Sequence, residues 1–366
     1  MIRTEEVLLN VGPQHPSTHG VFRLVLTLDG EVITNAEPVI GYLHRGTEKI
    51  AENLQFTQII PYTDRMDYVS AMTNNYVLVH AVETMMGIEI PERAEYLRVL
   101  AMELNRVASH LLWWGTYILD FGATSPLLYA FREREMILNL LNELSGARLT
   151  FNYMRVGGVK WDAPEGWLEK VRDFVPYMRK MLDGYHQLVS GNEIFLSRTK
   201  NVGTYTKEDA LNYSLSGVNL RSTGVKWDLR KDEPYSIYDR FDFDVVTRDG
   251  GDAFARYECR LAEIEESLKI IEQAVEQFPE EGPIMAKVPK IIKPPKGEAF
   301  VRIEGSRGEI GCYIASDGKK EPYRLKFRRP SFYNLQILPK LLKGQNISNL
   351  ISILGAIDIV LGEVDG

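Results

Sequence analysis

Two histidines, His15 and His19, lie four residues apart in a segment rich in glycine and proline. The segment, residues 12–20, reads Gly-Pro-Gln-His-Pro-Ser-Thr-His-Gly, and the whole chain of 366 residues contains only six histidines. An imidazole can donate, accept or carry a proton near neutral pH, and glycine and proline fix the backbone path that presents it to a ligand. The segment therefore indicates a binding or catalytic loop. A purely structural hydrogen-bonding role is the alternative.

Other polar residues recur near predicted turns and helix ends, including His44, Arg45 and Tyr68. Thr116 and Asp120 lie four residues apart, hence on one face of a helix. His110 lies ten residues before Asp120 and about a quarter-turn off that face, so a partner for Asp120 must come from elsewhere. A carboxylate beside an imidazole raises the pKa of the imidazole, which can then hold and release a proton. The structural alternatives are a helix-ending Asp120 and a surface ion pair between Arg45 and Glu48.

The composition excludes several classes of protein. The formal charge is −7 without a long basic run, which argues against nucleic acid as a ligand. Two cysteines, Cys259 and Cys312, are too few for an all-cysteine zinc or iron–sulfur site and suggest a reducing compartment. The N-terminus lacks the apolar core of a signal peptide, and no uncharged run of 18 apolar residues appears. We therefore expect no transmembrane segment, and any membrane role would come from partners.

The N-terminal region predicts a small antiparallel sheet. Residues 21–28 alternate, with four apolar side chains on one face, and the Asp29-Gly30 pair predicts a hairpin turn. Residues 7–9 and 32–34 are the expected neighbouring strands. The loop that carries His15 and His19 enters this sheet.

The rest of the chain is mainly helical, and its amphipathic spacing predicts a helix bundle. A proline-rich stretch then predicts an extended connection, followed by short strands and an apolar tail. The expected fold is α+β and predominantly helical, with a central helix bundle, a small N-terminal antiparallel sheet and a short C-terminal β-containing region.

The predicted helices span residues 65–87, 92–119, 126–146, 165–191 and 252–278. The predicted regions are residues 1–60 (sheet and loop), 61–278 (helix bundle), 279–297 (connection) and 298–366 (strands at 299–303 and 309–315, and a buried tail).

Several motifs together resemble one family. The segment 12–20 is followed by Gly-Tyr-Leu-His-Arg-Gly-Thr-Glu-Lys at 41–49 and Tyr-Thr-Asp-Arg-Met-Asp-Tyr at 62–68. Further motifs lie at residues 154–159, 216–221, 226–231, 323–324 and 358–365. In this order they resemble the 49-kDa-type (D-type) core subunit of respiratory complex I, the proton-pumping NADH–quinone oxidoreductase. That family is similar in fold to nickel–iron hydrogenase large subunits, which implies a single hydrogenase-large-subunit-like domain over residues 1–366.

The resemblance also shows where a hydrogenase would bind its metals. Two Cys-x-x-Cys pairs of hydrogenases correspond to Asp67 and Ser70 and to Val360 and Glu363. None of these residues is a thiolate, so we expect no nickel or iron there. The element that begins at Arg45 still resembles the hydrogenase Arg-Gly-x-Glu sequence.

Site residues follow from the resemblance, residue by residue. It implies that His19 and Tyr68 hydrogen-bond the two ends of a quinone and that Asp120 partners the histidine; these three would be catalytic. It places Arg45 near the terminal iron–sulfur cluster of a neighbouring subunit. The implied quinone-binding set is His15, His19, Tyr68, Thr116 and Asp120.

The resemblance implies a function that this chain performs only within an assembly. Quinone is the substrate, the chain binds no metal or flavin, and electrons come from an iron–sulfur cluster in the adjacent subunit. The implied partners are the terminal-cluster subunit, a 30-kDa-type (C-type) protein and a membrane quinone-channel subunit. The implied location is peripheral, on the cytoplasmic face of a bacterial cell membrane. Alternatives are a related hydrogenase-type or other-donor membrane oxidoreductase, against which the missing thiolates weigh, or a non-catalytic scaffold.

Overall fold

The computed structural model describes residues 6–13 and 20–366, so His15 and His19 lie outside the described residues. The N-terminal part is a three-stranded antiparallel sheet in the order β1-β2-β3. Its central strand buries Leu24 and Leu26, because alternate side chains of a strand point to the same face. The predicted strand and both predicted pairings are confirmed. The strands are β1 Glu6–Val11, β2 Arg23–Asp29 and β3 Val32–Val39.

Helices make up most of the remaining chain. The early and central helices are α1 Thr47–Ala51, α2 Phe56–Thr63, α3 Ala71–Met86, α4 Glu92–Asp120, α5 Ser125–Ser145, α6 Trp167–Tyr185, α7 Glu193–Thr199, α8 Lys207–Asn212, α9 Val218–Arg221 and α10 Leu229–Asp232. The later helices are α11 Ala253–Glu276, α12 Pro330–Leu335, α13 Leu338–Leu342, α14 Leu350–Ile357 and α15 Leu361–Asp365. Short π and 3-10 turns span His186–Ser190, Tyr238–Arg240 and Ile347–Asn349.

The long helix α4 is the centre of the bundle. It has 29 residues and packs against α5 and α11. Pro91 precedes it, and Gly146 ends α5 in a left-handed conformation with φ 80°, which suits glycine because it has no Cβ. The predicted helices in this region are confirmed. A predominantly helical α+β fold is therefore what the sequence forms.

The predicted helix over residues 65–87 is wrong in its first turn, because α3 begins only at Ala71. The carboxylate of Asp67 accepts hydrogen bonds from the backbone N–H groups of Val69, at 3.1 Å, and Ser70, at 3.3 Å. An aspartate that bonds to the backbone two or three residues later stabilises a turn in place of a helix. Tyr68 lies in this turn.

The C-terminal region combines a second antiparallel sheet with a buried tail. Its strands run in the order β6-β7-β8, and residues 350–366 are buried except Ile351. No helix of the described chain is long and apolar enough to cross a membrane. The remaining strands are β4 Met154–Arg155, β5 Gly158–Val159, β6 Gly297–Gly305, β7 Gly308–Ser316 and β8 Arg324–Arg328.

Candidate functional site

Tyr68 lines an open cavity of about 460 Å³ between the α2–α3 turn and the segment that follows β3. Burial raises the pKa of the Tyr68 phenol, and the charge of Asp67 raises it further. The side chain is therefore a neutral hydroxyl that can donate a proton or a hydrogen bond to a ligand. The cavity is lined by Tyr42, Leu43, His44, Arg45, Arg65, Tyr68, Leu149, Thr150 and Gly362.

The wall of this cavity is anchored by Asp365 of α15. Its carboxylate accepts hydrogen bonds from the backbone N–H of Gly41, at 2.7 Å, and of Leu43, at 2.6 Å. Its backbone carbonyl lies 2.7 Å from Nδ1 of His44. Asp365 is only 6% exposed. One buried carboxylate therefore fixes the backbone that presents His44 and Arg45 to the cavity.

Arg45 lies at the exposed edge of the cavity, where its Nη2 donates to the carbonyl oxygen of Arg65 at 2.9 Å. It forms no ion pair with Glu48. The carboxylate of Glu48 instead pairs with Lys326 at 2.7 Å and accepts from the backbone N–H of Phe327 at 3.0 Å. The surface ion pair between Arg45 and Glu48 that the sequence left open is therefore wrong.

Asp120, the last residue of α4, lines a second, more apolar cavity of about 230 Å³. Burial raises the pKa of this carboxyl to about 6. A cationic neighbour would favour its ionised form. The other lining residues are Val11, Phe22, Leu24, Ile347, Leu350, Ile351 and Leu354.

Two further predictions about α4 have different outcomes. Thr116 does not line either cavity, and its hydroxyl donates to the carbonyl oxygens of Leu112 and Trp113, so its quinone-binding role stays a prediction. His110 is buried, with Nε2 lying 3.2 Å from Glu263. As the helical spacing predicted, His110 is not the partner of Asp120.

Tyr68 and Asp120 are not brought into one pocket, since their cavities share no lining residue in the described chain. The described ends of the histidine segment reach the Asp120 cavity but do not line the Tyr68 cavity. Val11, before the loop, lines the Asp120 cavity. A methyl group at Gly20, after the loop, would lie 3.8 Å from Cβ of Leu361, the neighbour in sequence of the cavity residue Gly362. The positions of His15 and His19 stay predictions.

The positions that the resemblance matches to hydrogenase metal ligands make other interactions. Asp67 pairs with Arg307 at 2.6 Å, and Glu363 accepts a hydrogen bond from the backbone N–H of Ser331 at 3.0 Å. Burial raises the pKa of Glu363 to about 7, and the negative charge of Asp67 adds to this shift. Over residues 6–13 and 20–366, no three histidine, cysteine, aspartate or glutamate side chains are arranged to hold a metal ion. The donors at these four positions do not fit nickel or iron ligation.

Sequence reasoning missed Arg307 and Asp365 as residues of this region. Arg307 is the second residue of the two-residue turn between β6 and β7, and its side chain points into the core. A charged residue among small residues, in the short gap between two predicted strands, was the available signal. Asp365 belonged to a recognised motif, but nothing local in the sequence indicated its contact with residues 41–43.

Comparison with known proteins shows the family to which this chain belongs. Residues 120–296 and 286–366 match the family described as respiratory-chain NADH dehydrogenase, 49 Kd subunit, and the chain belongs to this family. Among its relatives are D-type subunits of NADH-quinone oxidoreductase from three bacteria. They come from Geobacillus kaustophilus strain HTA426 (82% identical), Geobacillus thermodenitrificans strain NG80-2 (81%) and Bacillus cereus strain ATCC 10987 / NRS 248 (81%), each aligned over 366 residues and the full length of both chains.

Proposed function

We propose that this chain is the quinone-binding core subunit of a proton-pumping NADH–quinone oxidoreductase. The observation that carries the proposal is the placement of Tyr68, a neutral phenol, in an open cavity lined by parts of the segments 42–45 and 65–68. Both segments belong to the motifs through which the chain resembles its family. The names of the relatives, which are D-type subunits of NADH-quinone oxidoreductase, support the same reaction.

The proposed reaction needs two electrons and two protons to convert a quinone to a quinol. Tyr68 supplies one proton from its hydroxyl to one quinone oxygen. His19, made cationic by Asp120, supplies the other proton to the opposite oxygen. The electrons come from an iron–sulfur cluster of an adjacent subunit near Arg45. His15 and Thr116 complete the proposed quinone-binding set.

The raised pKa of Asp120 supports its part in this scheme. A carboxyl group in an apolar cavity is costly to ionise, and a nearby imidazolium would offset that cost. His19 immediately precedes Gly20, and a methyl group at Gly20 would lie 3.8 Å from Cβ of Leu361, which precedes the cavity residue Gly362 in the sequence. Proton loss from Tyr68 and from the His19–Asp120 pair changes the local charge. We propose that this change is passed to membrane partners and drives proton translocation.

The exposed edge of the Tyr68 cavity supports the proposal of partner subunits. Tyr42 is 47% exposed and Arg45 is exposed beside it, as expected for a surface that a neighbouring protein covers. The proposed partners are the terminal iron–sulfur subunit, a 30-kDa-type (C-type) protein and a membrane subunit that admits the quinone. The proposed location is the cytoplasmic face of the bacterial cell membrane, with no transmembrane segment of this chain.

The test uses assembled complexes that carry Tyr68→Phe, His19→Ala or Asp120→Asn. Each substitution is expected to lower quinone reduction about a hundredfold or more, the range that a proton donor contributes. Electron transfer from the donor to a soluble one-electron acceptor should be unchanged. The matched control Tyr129→Phe, on the exposed surface of α5, should stay within about twofold of the unmodified complex. Near-normal quinone turnover in all three site variants would contradict the proposed function.

A further inference from the structure

Arg307 places a buried positive charge directly behind the turn that carries Tyr68. Its side chain enters the core from the β6–β7 turn and is nearly excluded from solvent. Nη1 lies 2.6 Å from a carboxylate oxygen of Asp67, and Nη2 lies 3.3 Å from a carboxylate oxygen of Asp358. Nη1 is also 3.2 Å from the hydroxyl of Ser109. The guanidinium therefore joins α4, the α2–α3 turn and the end of α14.

Asp67 connects this cation to the backbone of the site. One carboxylate oxygen of Asp67 binds Arg307, while the other accepts the backbone N–H groups of Val69 and Ser70. Tyr68 lies between the residues that make these contacts. A carboxylate held by a guanidinium on one side and by backbone amides on the other is geometrically well defined. The position of the Tyr68 ring therefore depends on Arg307 through Asp67.

The charges around Tyr68 also make Arg307 relevant to proton transfer. Burial and the charge of Asp67 raise the pKa of Tyr68, whereas the positive charge of Arg307 lowers it. Asp358 and Glu363 add further carboxyl groups to the same buried region. If Arg307 were removed, these carboxyl groups would lose their nearest guanidinium. A phenolate at Tyr68 would then lie among negative charges that Arg307 no longer offsets.

We propose that Arg307 is a positioning residue for Tyr68, which holds its turn in place and stabilises the phenolate formed during quinone reduction. This inference rests on the proposed function. Two electrons enter the quinone from the partner's iron–sulfur cluster, the Tyr68 O–H bond breaks, and the proton forms an O–H bond on one quinone oxygen. The second proton comes from His19. Arg307 touches neither quinone nor electron donor and acts through Asp67 and through its charge.

The experiment compares Arg307→Met and Arg307→Lys in assembled complexes, each in the presence of Tyr68 and in the Tyr68→Phe background. When Tyr68 is present, Arg307→Met removes the cation and is expected to lower quinone turnover about tenfold or more. Arg307→Lys keeps a positive charge and should keep turnover within about threefold of the unmodified complex. In the Tyr68→Phe background, Arg307→Met should lower the residual turnover by less than about twofold, because the group on which it acts is absent. Equal losses in both backgrounds would overturn the proposal.

Two further variants separate this role from a loss of stability. Arg98→Met removes an equally buried guanidinium that pairs with Glu83 and has no contact with Asp67 or Asp358. Turnover per assembled Arg98→Met complex should stay near normal. Asp67→Asn combined with Arg307→Met removes the buried pair, and Asp358 keeps Arg260 as a neighbouring cation at 3.6 Å. This double variant should still show the turnover loss.

The outcomes distinguish this inference from the proposed function. Near-normal turnover of Tyr68→Phe, His19→Ala and Asp120→Asn together would refute the proposed function itself. Low turnover of Tyr68→Phe with normal turnover of Arg307→Met would refute only the role of Arg307. If Arg307→Met does not assemble, the Asp67→Asn/Arg307→Met variant is compared with and without Tyr68→Phe by the same criterion. A lower kcat that appears only when Tyr68 is present supports the proposal, and an equal decrease in both backgrounds refutes it.

Discussion

The backbone N–H of Leu43 donates a 2.6 Å hydrogen bond to the carboxylate of Asp365, 322 residues further along the chain. The second oxygen of the same carboxylate accepts from Gly41. Hydrogen bonds to a charged acceptor each contribute about 1.5–3 kcal/mol. The wall of the Tyr68 cavity is therefore held by a contact that neither segment can make alone.

Replacing Asp365 by alanine should loosen this wall. We expect faster hydrogen exchange at the amides of Gly41 and Leu43 and a higher KM for quinone, because both amides lose their acceptor. The control is Asp317→Ala, which removes an exposed aspartate that bonds only locally with Lys319. The interpretation fails if exchange at residues 41–43 is the same in both variants.

Asp120 should determine the acid side of the pH profile of quinone reduction. Its pKa is raised to about 6, so the carboxyl is ionised above that pH and protonated below it. Protonation removes the negative charge that would support an imidazolium at His19. Because that imidazolium would in turn lower the pKa of Asp120, activity should fall as the pH drops below about 6. Asp120→Asn should have low activity and no such transition. The control is Asp173→Asn, at an exposed position on α6, which should keep the pH transition. If Asp120→Asn also keeps the transition, the transition belongs to a group other than Asp120.

Gly362 allows α15 to pack closely on the turn before Tyr68. A methyl group at this position would lie 2.8 Å from the carbonyl oxygen of Met66 and 3.0 Å from that of Arg65, so Gly362→Ala must displace the backbone. Quinone turnover in the assembled complex should fall severalfold. Gly184→Ala, where no atom lies within 4 Å, should leave turnover unchanged and stabilise α6 by about 0.5–1 kcal/mol. Equal turnover in the two variants would show that this close contact is unimportant.

The buried pair of Arg98 and Glu83 should dominate local stability. Its atoms are 2.6 Å apart and the side chains are 0% and 3% exposed. Arg98→Met leaves a buried carboxylate without its cation, so the free energy of unfolding should fall by about 3–5 kcal/mol. Lys170→Met breaks the exposed pair with Glu143 and should cost less than about 1 kcal/mol. Denaturant unfolding of the two variants checks the difference, and similar losses would contradict it.

Local sequence patterns were sufficient for the elements with a clear period. Helix α4 and strand β2 each have an apolar face of regular spacing, and Pro91 and Gly146 mark helix ends. The turn at Asp67 was not predicted, because its apolar spacing is compatible with a helix and only the side-chain bonds of Asp67 favour a turn. Local periodicity contains no information about such bonds.

The candidate site was predictable in part. Tyr68 and Asp120 were selected from the sequence, and the structure places each in a cavity. The pairs that support the site, Arg307 with Asp67 and Asp365 with Leu43, join residues 240 and 322 positions apart. Partners so distant leave no spacing pattern, so they became visible only in three dimensions.

The contact between α15 and the Gly41–Leu43 segment has a consequence for synthesis. While a ribosome is translating the middle of the chain, residues 41–43 have already emerged, yet the carboxylate that fixes them has not been made. The two hydrogen bonds that fix this part of the cavity wall can form only after Asp365 has been synthesised, so a truncated product without Asp365 would lack them even if the helix bundle has folded.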